Sequence, residues 1–298
     1  MTSENYNKNN EILETVDISS NSSDNDQNQR DVINNRTEDF VFSVIPSPPD
    51  NRDHVFEHRT RSLTRSSRSN IKLPKKLDLR KLLNFSRNQG KRGTCAAFSA
   101  CAIKEYHERL DVNYQGYLSP NSVYYYRSNK PNSGMFLRDV MKILYQQGIA
   151  HESDFPYDQI EEPNQIPLEA VNRMKDYRIK EYARVSTING LKEALYTNGP
   201  CIIAFPVYDG KPEFWRALSS DSVVSGGHAV AVVGYDDKGF ILRNSWGKTW
   251  NMDGCVHYPY DEWGSEWECW TSVDDDSPHQ FKDESKLIKI LRFLNCTN

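Results

Sequence analysis
The 298-residue sequence contains no long apolar run. Its most apolar stretches, Cys201 to Tyr208 and Ala229 to Tyr235, fall far short of the ~20 residues a membrane-spanning helix needs, so no transmembrane segment is expected. Cysteine is scarce. Six residues are too few for a disulfide scaffold, and neither they nor the histidines show metal-ligand spacing, so no metal and no other cofactor is expected. The first thirty residues lack the apolar stretch of a secretory signal, which makes a cytoplasmic start with reduced thiols the expectation. Charge of one sign is barely in excess: 41 acidic against 37 basic residues, net -4, which disfavours general nucleic-acid binding.

What charge there is lies unevenly. Residues 1–57 carry twelve acids against Lys8, Arg30, Arg36 and Arg52, and this polar stretch cannot bury enough apolar surface to offset the entropy of ordering. One island differs: Phe40 to Ile45 is β-branched and aromatic, and the prolines Pro46, Pro48 and Pro49 stop any strand there. From His58 to Lys76 the sign reverses, with Arg59, Arg61, Arg65, Arg68, Lys72, Lys75 and Lys76 and no acid. No aromatic residue is interleaved there for base stacking, so the block is read as a cleavable linker.

Folded sequence begins near Leu73. Alanines 96, 97 and 100, with an apolar stripe of Phe98, Cys101, Ala102 and Tyr106, predict a helix over 95–110 with Thr94 as N-cap. A second helix is expected from Met135 to Gln146, ending at Gly148. Beyond Arg178 short apolar runs bounded by Gly, Asn or Asp predict strands at 201–208, 228–235, 239–243 and 255–260. Helices first and strands second give an α+β class with four parts: 1–72 an N-terminal segment, 73–180 a helical lobe, 181–270 a β lobe and 271–298 a tail. The tail places Lys286, Lys289 and Arg292 among apolar residues, a short basic amphipathic helix that docks on the core or touches a membrane.

Chemistry centres on Cys95. A thiolate needs stabilisation, and the first turn of a helix offers unpaired N–H groups and the positive end of its dipole. The base must come from far along the chain, and His228 and Asn244 follow Cys95 by 133 and 149 residues. The segment Gln89 to Ser99 resembles the nucleophile segment of papain-like cysteine proteases of the cathepsin group. Asn132-Ser-Gly134 resembles their Asn-Gly-Gly cleft motif, Phe155-Pro-Tyr157 their Tyr-Pro-Tyr, Gly226 to Val230 the histidine segment of cathepsin B-like members, and Asn244-Ser-Trp-Gly247 the asparagine segment.

The resemblance implies a two-lobe papain-like fold with the active site between the lobes. It implies attack by the Cys95 thiolate on a peptide carbonyl, proton transfer by His228, orientation of His228 by Asn244, and an oxyanion hole of Gln89 and the Cys95 N–H. Ser133, Gly134, Met135, Gly227 and Trp246 are the expected substrate-binding positions, for protein or peptide substrates. A giant DNA virus is the suggested origin, and a virion-associated site joins the cytoplasm as expected location ahead of a lysosome-like compartment.

Departures from the family are specific. Ala96 stands where tryptophan usually follows the nucleophile, and Arg92 and Pro131 stand where a disulfide pair is usual. With 39 residues from Cys95 to Gly134 there is no room for an occluding loop, which favours an endopeptidase. Glu266 and Glu268 are expected to be solvated loop acids. Without the family's long helical propeptide motif, residues 40–45 are expected to lie along the cleft as an inhibitory prosegment of a zymogen. Two rivals stay open: an isopeptidase or deubiquitinase-like hydrolase, and a catalytically weakened papain-fold binding protein.

Overall fold
The computed structural model describes residues 41–58, 72–158, 160, 162, 165–208 and 212–274, all within one compact unit, Asp39–Asn298. The expectations for residues 1–40, for most of the basic linker (59–71) and for the tail (275–298) lie outside the described residues.

In chain order the elements are β1 (Leu77–Asp78), α1 (Cys95–Val112), α2 (Pro120–Tyr125), α3 (Leu137–Gln146) and α4 (Leu168–Met174), then β2 (Ile179–Val185) and α5 (Ile188–Asn198). The strands β3 (Cys201–Val207), β4 (Gly226–Tyr235), β5 (Gly239–Arg243), β6 (Cys255–Pro259) and β7 (Glu268–Asp274) complete the chain. The strands form one antiparallel sheet in the order β2-β7-β3-β4-β5-β6, with β1 added to β4.

Helix α1 is the central rod. Every residue from Cys95 to Glu108 is buried, which suits its small alanines and its position between the other helices and β4. It closes at Asn113 in the left-handed conformation, φ 55, which asparagine tolerates better than most residues. Its charges are paired inside: Lys104 Nζ meets Glu108 and Asp274, each at 2.7 Å.

Strand β3 divides the interior. All seven of its residues are buried, and they alternate: Cys201, Ile203, Phe205 and Val207 join a cluster with α5 and the far side of the sheet, while Ile202 and Ala204 join the cluster around α1 and α3. This alternation sets α1 and α3 against one face of the sheet and α5 against the other.

The expected helices are present at 95–112 and 137–146, and the four expected strands form within two residues of their expected bounds. Thr94 sits at the N-cap position, but its side chain does not cap; the hydroxyl lies 2.7 Å from Tyr157 Oη instead.

Candidate active site
Cys95 opens α1 fully buried, with the backbone N–H groups of Ala229 and Ala96 acting on its sulfur against the effect of burial. The Ala229 contact brings the first turn of α1 against β4 immediately beside His228. His228 is also fully buried, and its Nε2 lies 2.7 Å from Asn244 Oδ1. That oxygen also accepts from the Ser245 N–H at 2.7 Å. Because a backbone N–H can only donate, the amide orientation of Asn244 is fixed, and His228 must carry its proton on Nε2. In the neutral ring Nδ1 is therefore the basic nitrogen, and it is buried with no hydrogen bond among the described residues.

Aromatic rings enclose the imidazole. Trp246 stacks on it at 4.7 Å, Phe214 meets it edge-on at 5.1 Å, and Trp250 packs edge-on against Trp246. Two backbone ties carry the nucleophile loop to the asparagine segment: Gln89 N–H donates to Ser245 O at 2.8 Å, and Gly247 N–H to Arg87 O at 3.1 Å. The Gln89 side chain is buried between them, accepting from Ser245 Oγ at 2.6 Å and donating from Nε2 to Arg92 O at 2.9 Å. Cys95, His228, Asn244 and Gln89 are thus brought together from α1, β4 and two loops.

The cleft is covered. Residues 42–45 pass over it, with Phe42 edge-on to His228 and Trp246. The Val44 N–H donates to Gly227 O at 2.9 Å, and the Ile45 N–H to Met135 O at 3.2 Å. Both walls need glycine. A Cβ on Gly134, whose φ is +82, would stand 1.7 Å from Ser43 O, and one on Gly227 would stand 2.2 Å from Val44 O. Ser133 lies behind Gly134, its hydroxyl 3.3 Å from Tyr124 Oη.

This strap continues beyond the cleft. The Asp53 carboxylate holds Arg138 in a two-point ion pair, Nε–Oδ1 at 2.8 Å and Nη2–Oδ2 at 2.5 Å. Phe56 is buried in the core on the sheet side, and Glu57 Oε1 accepts from the N–H groups of Ser186 and Thr187 at 2.9 Å, at the start of α5.

Beneath the strap burial favours the neutral forms of Cys95 and His228. Burial pushes the Cys95 thiol up to about 11, outweighing the N–H groups that favour thiolate, and burial pushes His228 down to about 4 against the opposing effect of Asn244. Burial in the covered cleft thus works against the ionised pair expected from the sequence.

Two departures from the expected pattern find physical explanations. Arg92, at a position where a bridging cysteine is usual, is buried, with Nη1 2.5 Å from Asn121 Oδ1 and 2.9 Å from Asp158 O. Its guanidinium lies 4.7 Å from the Tyr124 ring centroid, and that of Arg127 lies 4.0 Å from the same ring. Hydrogen bonds and cation–π contacts thus tie the nucleophile loop to α2. Of the two acids expected to be solvated, Glu268 is not, while Glu266 stays partly exposed in its loop. Glu268 is buried and accepts from the Ser47 N–H at 2.9 Å and from Trp270 Nε1 at 2.7 Å. Glu266 accepts from Tyr258 Oη at 2.6 Å and from the Gly264 N–H at 2.8 Å.

Sequence reasoning missed Phe214, Ser245 and Arg138. Ser245 lies inside the Asn-Ser-Trp-Gly motif and was legible there, whereas Phe214 and Arg138 have no motif around them.

Comparison with known proteins is decisive on family. The profile of papain family cysteine proteases matches residues 73–269. The chain belongs to the papain family. It is 28% identical over 259 residues to an uncharacterized peptidase C1-like protein of Acanthamoeba polyphaga mimivirus, covering 74% of this chain and 81% of that protein. A viral cathepsin of Heliothis zea nuclear polyhedrosis virus is 26% identical over 200 residues, covering 62% of this chain and 52% of the cathepsin, so the match spans about half of that relative's length. Among solved structures, xylellain, a cysteine protease from Xylella fastidiosa, superposes with a TM-score of 0.64 at 25% identity, over 78% of this chain and 96% of that one. The digestive procathepsin L 3 of Tenebrio molitor gives 0.57 at 20% identity, over 69% of this chain and 71% of that one, a likeness of fold. The α+β papain-like fold and the assignment as a cysteine peptidase follow, and a peptidase acts on protein or peptide substrates.

Proposed function
We propose that this papain-family peptidase is an endopeptidase made as a zymogen, with residues 42–45 as the cover of its cleft. In the open enzyme the Cys95 thiol passes its proton to His228 Nδ1, and the thiolate attacks the scissile carbonyl. The tetrahedral oxyanion faces the Cys95 N–H and the Gln89 amide, whose Nε2 commits one proton to Arg92 O. Collapse breaks the C–N bond as the imidazolium gives its proton to the leaving amine, which leaves a Cys95 thioester. Water, deprotonated by His228, then attacks the thioester and returns the thiol. Asn244 Oδ1 keeps the ring oriented throughout.

The observation that carries this reading is the convergence of Cys95, His228 and Asn244 beneath a strap that fits both glycine walls. The leaving amine must lie beside His228, so the acyl part of a substrate lies over Gly134. The strap runs from His228 toward Gly134, N- to C-terminal, whereas a substrate runs from Gly134 toward His228. It fills the cleft with its peptide bonds reversed, which supports inhibition without cleavage. The intact polar set supports an active enzyme over the decayed binding protein, and the viral relatives support an infected-cell or virion setting.

The test is intact mass after incubation with a peptidyl epoxide at neutral pH. The full-length chain is expected to label slowly, and a full-length Phe42→Gly/Val44→Gly variant to take one adduct quickly, lost in Cys95→Ala. Equal labelling with and without the two strap substitutions removes the zymogen reading, and an adduct that survives Cys95→Ala removes Cys95 as nucleophile.

A further inference from the structure
We infer that Arg138 forms an acid-binding subsite in the uncovered cleft, selecting substrates with Asp or Glu three or four residues before the scissile bond. The inference rests on the peptidase reading above and adds the substrate class.

Arg138 lies in the first turn of α3, and its guanidinium is held between the Asp53 carboxylate and the Trp270 ring, 5.8 Å from the ring centroid. Its side chain is about 10% exposed while the strap is in place. The carboxylate belongs to the strap and the guanidinium to the body. When the strap leaves, Asp53 leaves with it, and a nearly buried cation loses its two-point partner.

Position follows from the strap's own bonds. Val44 and Ile45 hydrogen-bond Gly227 O and Met135 O, the walls beside Cys95, so they mark the places of the first two residues before the scissile bond. Two residues further out, Ser47 Oγ accepts from the Arg138 N–H at 3.1 Å. At ~3.4 Å per extended residue, a substrate's third and fourth residues pass this point.

The body side of the surroundings is basic on balance. Arg138 and Lys142, one turn apart on α3, line a groove of about 790 Å³ with Lys180, Glu181 and Tyr182 of β2, and the strap lines its other side with Asp50, Arg52 and Asp53. Asp50 is paired with Arg52 of the strap itself, so Asp53 is the acid that the strap presents to this wall. Glu268 accepts from the Ser47 N–H at 2.9 Å and acts electrostatically on Arg138, so it lies at the same point and offsets part of the guanidinium's charge, which limits the size of the preference.

The experiment uses the full-length chain carrying Phe42→Gly, Val44→Gly and Asp53→Ala, which removes both cleft side chains and the ion pair. Epoxide titration counts competent sites, and kcat/KM is measured for peptides with Asp or Glu, Asn or Gln, or Lys at the third and fourth positions. A preference of about tenfold for the acids over their amides is expected, shrinking with added salt. It is lost in Arg138→Gln and partly kept in Arg138→Lys, with KM moving more than kcat. Cleavage of all peptides with equal kcat/KM, or a preference that survives Arg138→Gln, overturns the subsite and leaves the peptidase intact. No titration and no cleavage overturns the peptidase reading and the subsite with it.

Discussion

Acid should open the strap, and His228 sets how far. Burial has lowered its pKa from 6.5 to about 4, with Phe42, Trp246 and Phe214 as uncharged neighbours around the ring. A state with the strap displaced and the ring at its ordinary value binds a proton between those two pH values, while the covered state does not. Stability of the covered state is therefore fully present above about 6.5 and lost as pH falls toward 4. At 1.36 kcal/mol per unit the loss amounts to at most about 3 kcal/mol, or a few-hundred-fold in the open population, because Trp246 and Phe214 stay on the ring when the strap leaves. Hydrogen exchange at the Val44 amide, which bonds Gly227 O, reports the opening directly once corrected for intrinsic rates. His228→Gln in the full-length chain isolates the contribution of the imidazole. Opening that grows equally in His228→Gln and in the unaltered chain, or that does not grow between pH 6.5 and 4, refutes the reasoning.

Further expectations concern the walls and ties of the cleft. Arg92→Ala removes two buried charge-assisted hydrogen bonds and a cation–π contact, and should lower the urea-unfolding free energy by about 3 kcal/mol; a change below about 1 kcal/mol counts against Arg92 as a tie. Gly134→Ala adds a Cβ 1.7 Å from Ser43 O at a φ of +82. It should speed Val44 amide exchange and raise the KM for peptides in the opened chain, because strap and substrate use the same backbone. Asn244→Ala strips His228 Nε2 and the Ser245 N–H of their acceptor, which should cost about 2 kcal/mol of stability and lower kcat roughly tenfold or more, with KM little changed in steady-state assays. Phe56→Ala empties a core site under the end of the strap, with a loss of about 3–5 kcal/mol that should appear as faster Val44 exchange at neutral pH.

Much of this was legible where local pattern and burial agree. The alanine-rich α1 and the apolar β3 and β4 are buried over most or all of their length, so composition alone announces them. Among the elements that escaped, β7, β2 and α5 did so for clear physical reasons. Strand β7 begins with Glu268 and ends with Asp274, buried acids that each have a partner from far away: the Ser47 N–H for one, beside its near neighbour Trp270 Nε1, and Lys104 for the other. Strand β2 is polar along much of its length and depends on pairing with β7. Helix α5 contains Gly190 and follows no strong apolar stripe; its start is fixed by the Thr187 hydroxyl, which accepts from the Gly190 N–H at 2.9 Å, and by Glu57 of the strap. The Glu268 reading failed for the same reason, since a sequence window cannot see a partner 221 residues away.

The glycine walls also explain why the strap is anchored outside the cleft. Gly134 and Gly227 must stay bare for any extended chain to lie against them, so neither wall can grow a side chain that grips the strap without also refusing a substrate. Holding power therefore sits beyond the cleft, in the Asp53–Arg138 pair, the buried Phe56 ring and the Glu57 contacts at α5. All three lie between the cleft segment and the basic linker. A cut in that linker severs the covalent connection but leaves every one of these contacts in place. The covered state then persists until something weakens it, and protonation of His228 acts inside the cleft, where the anchors do not reach.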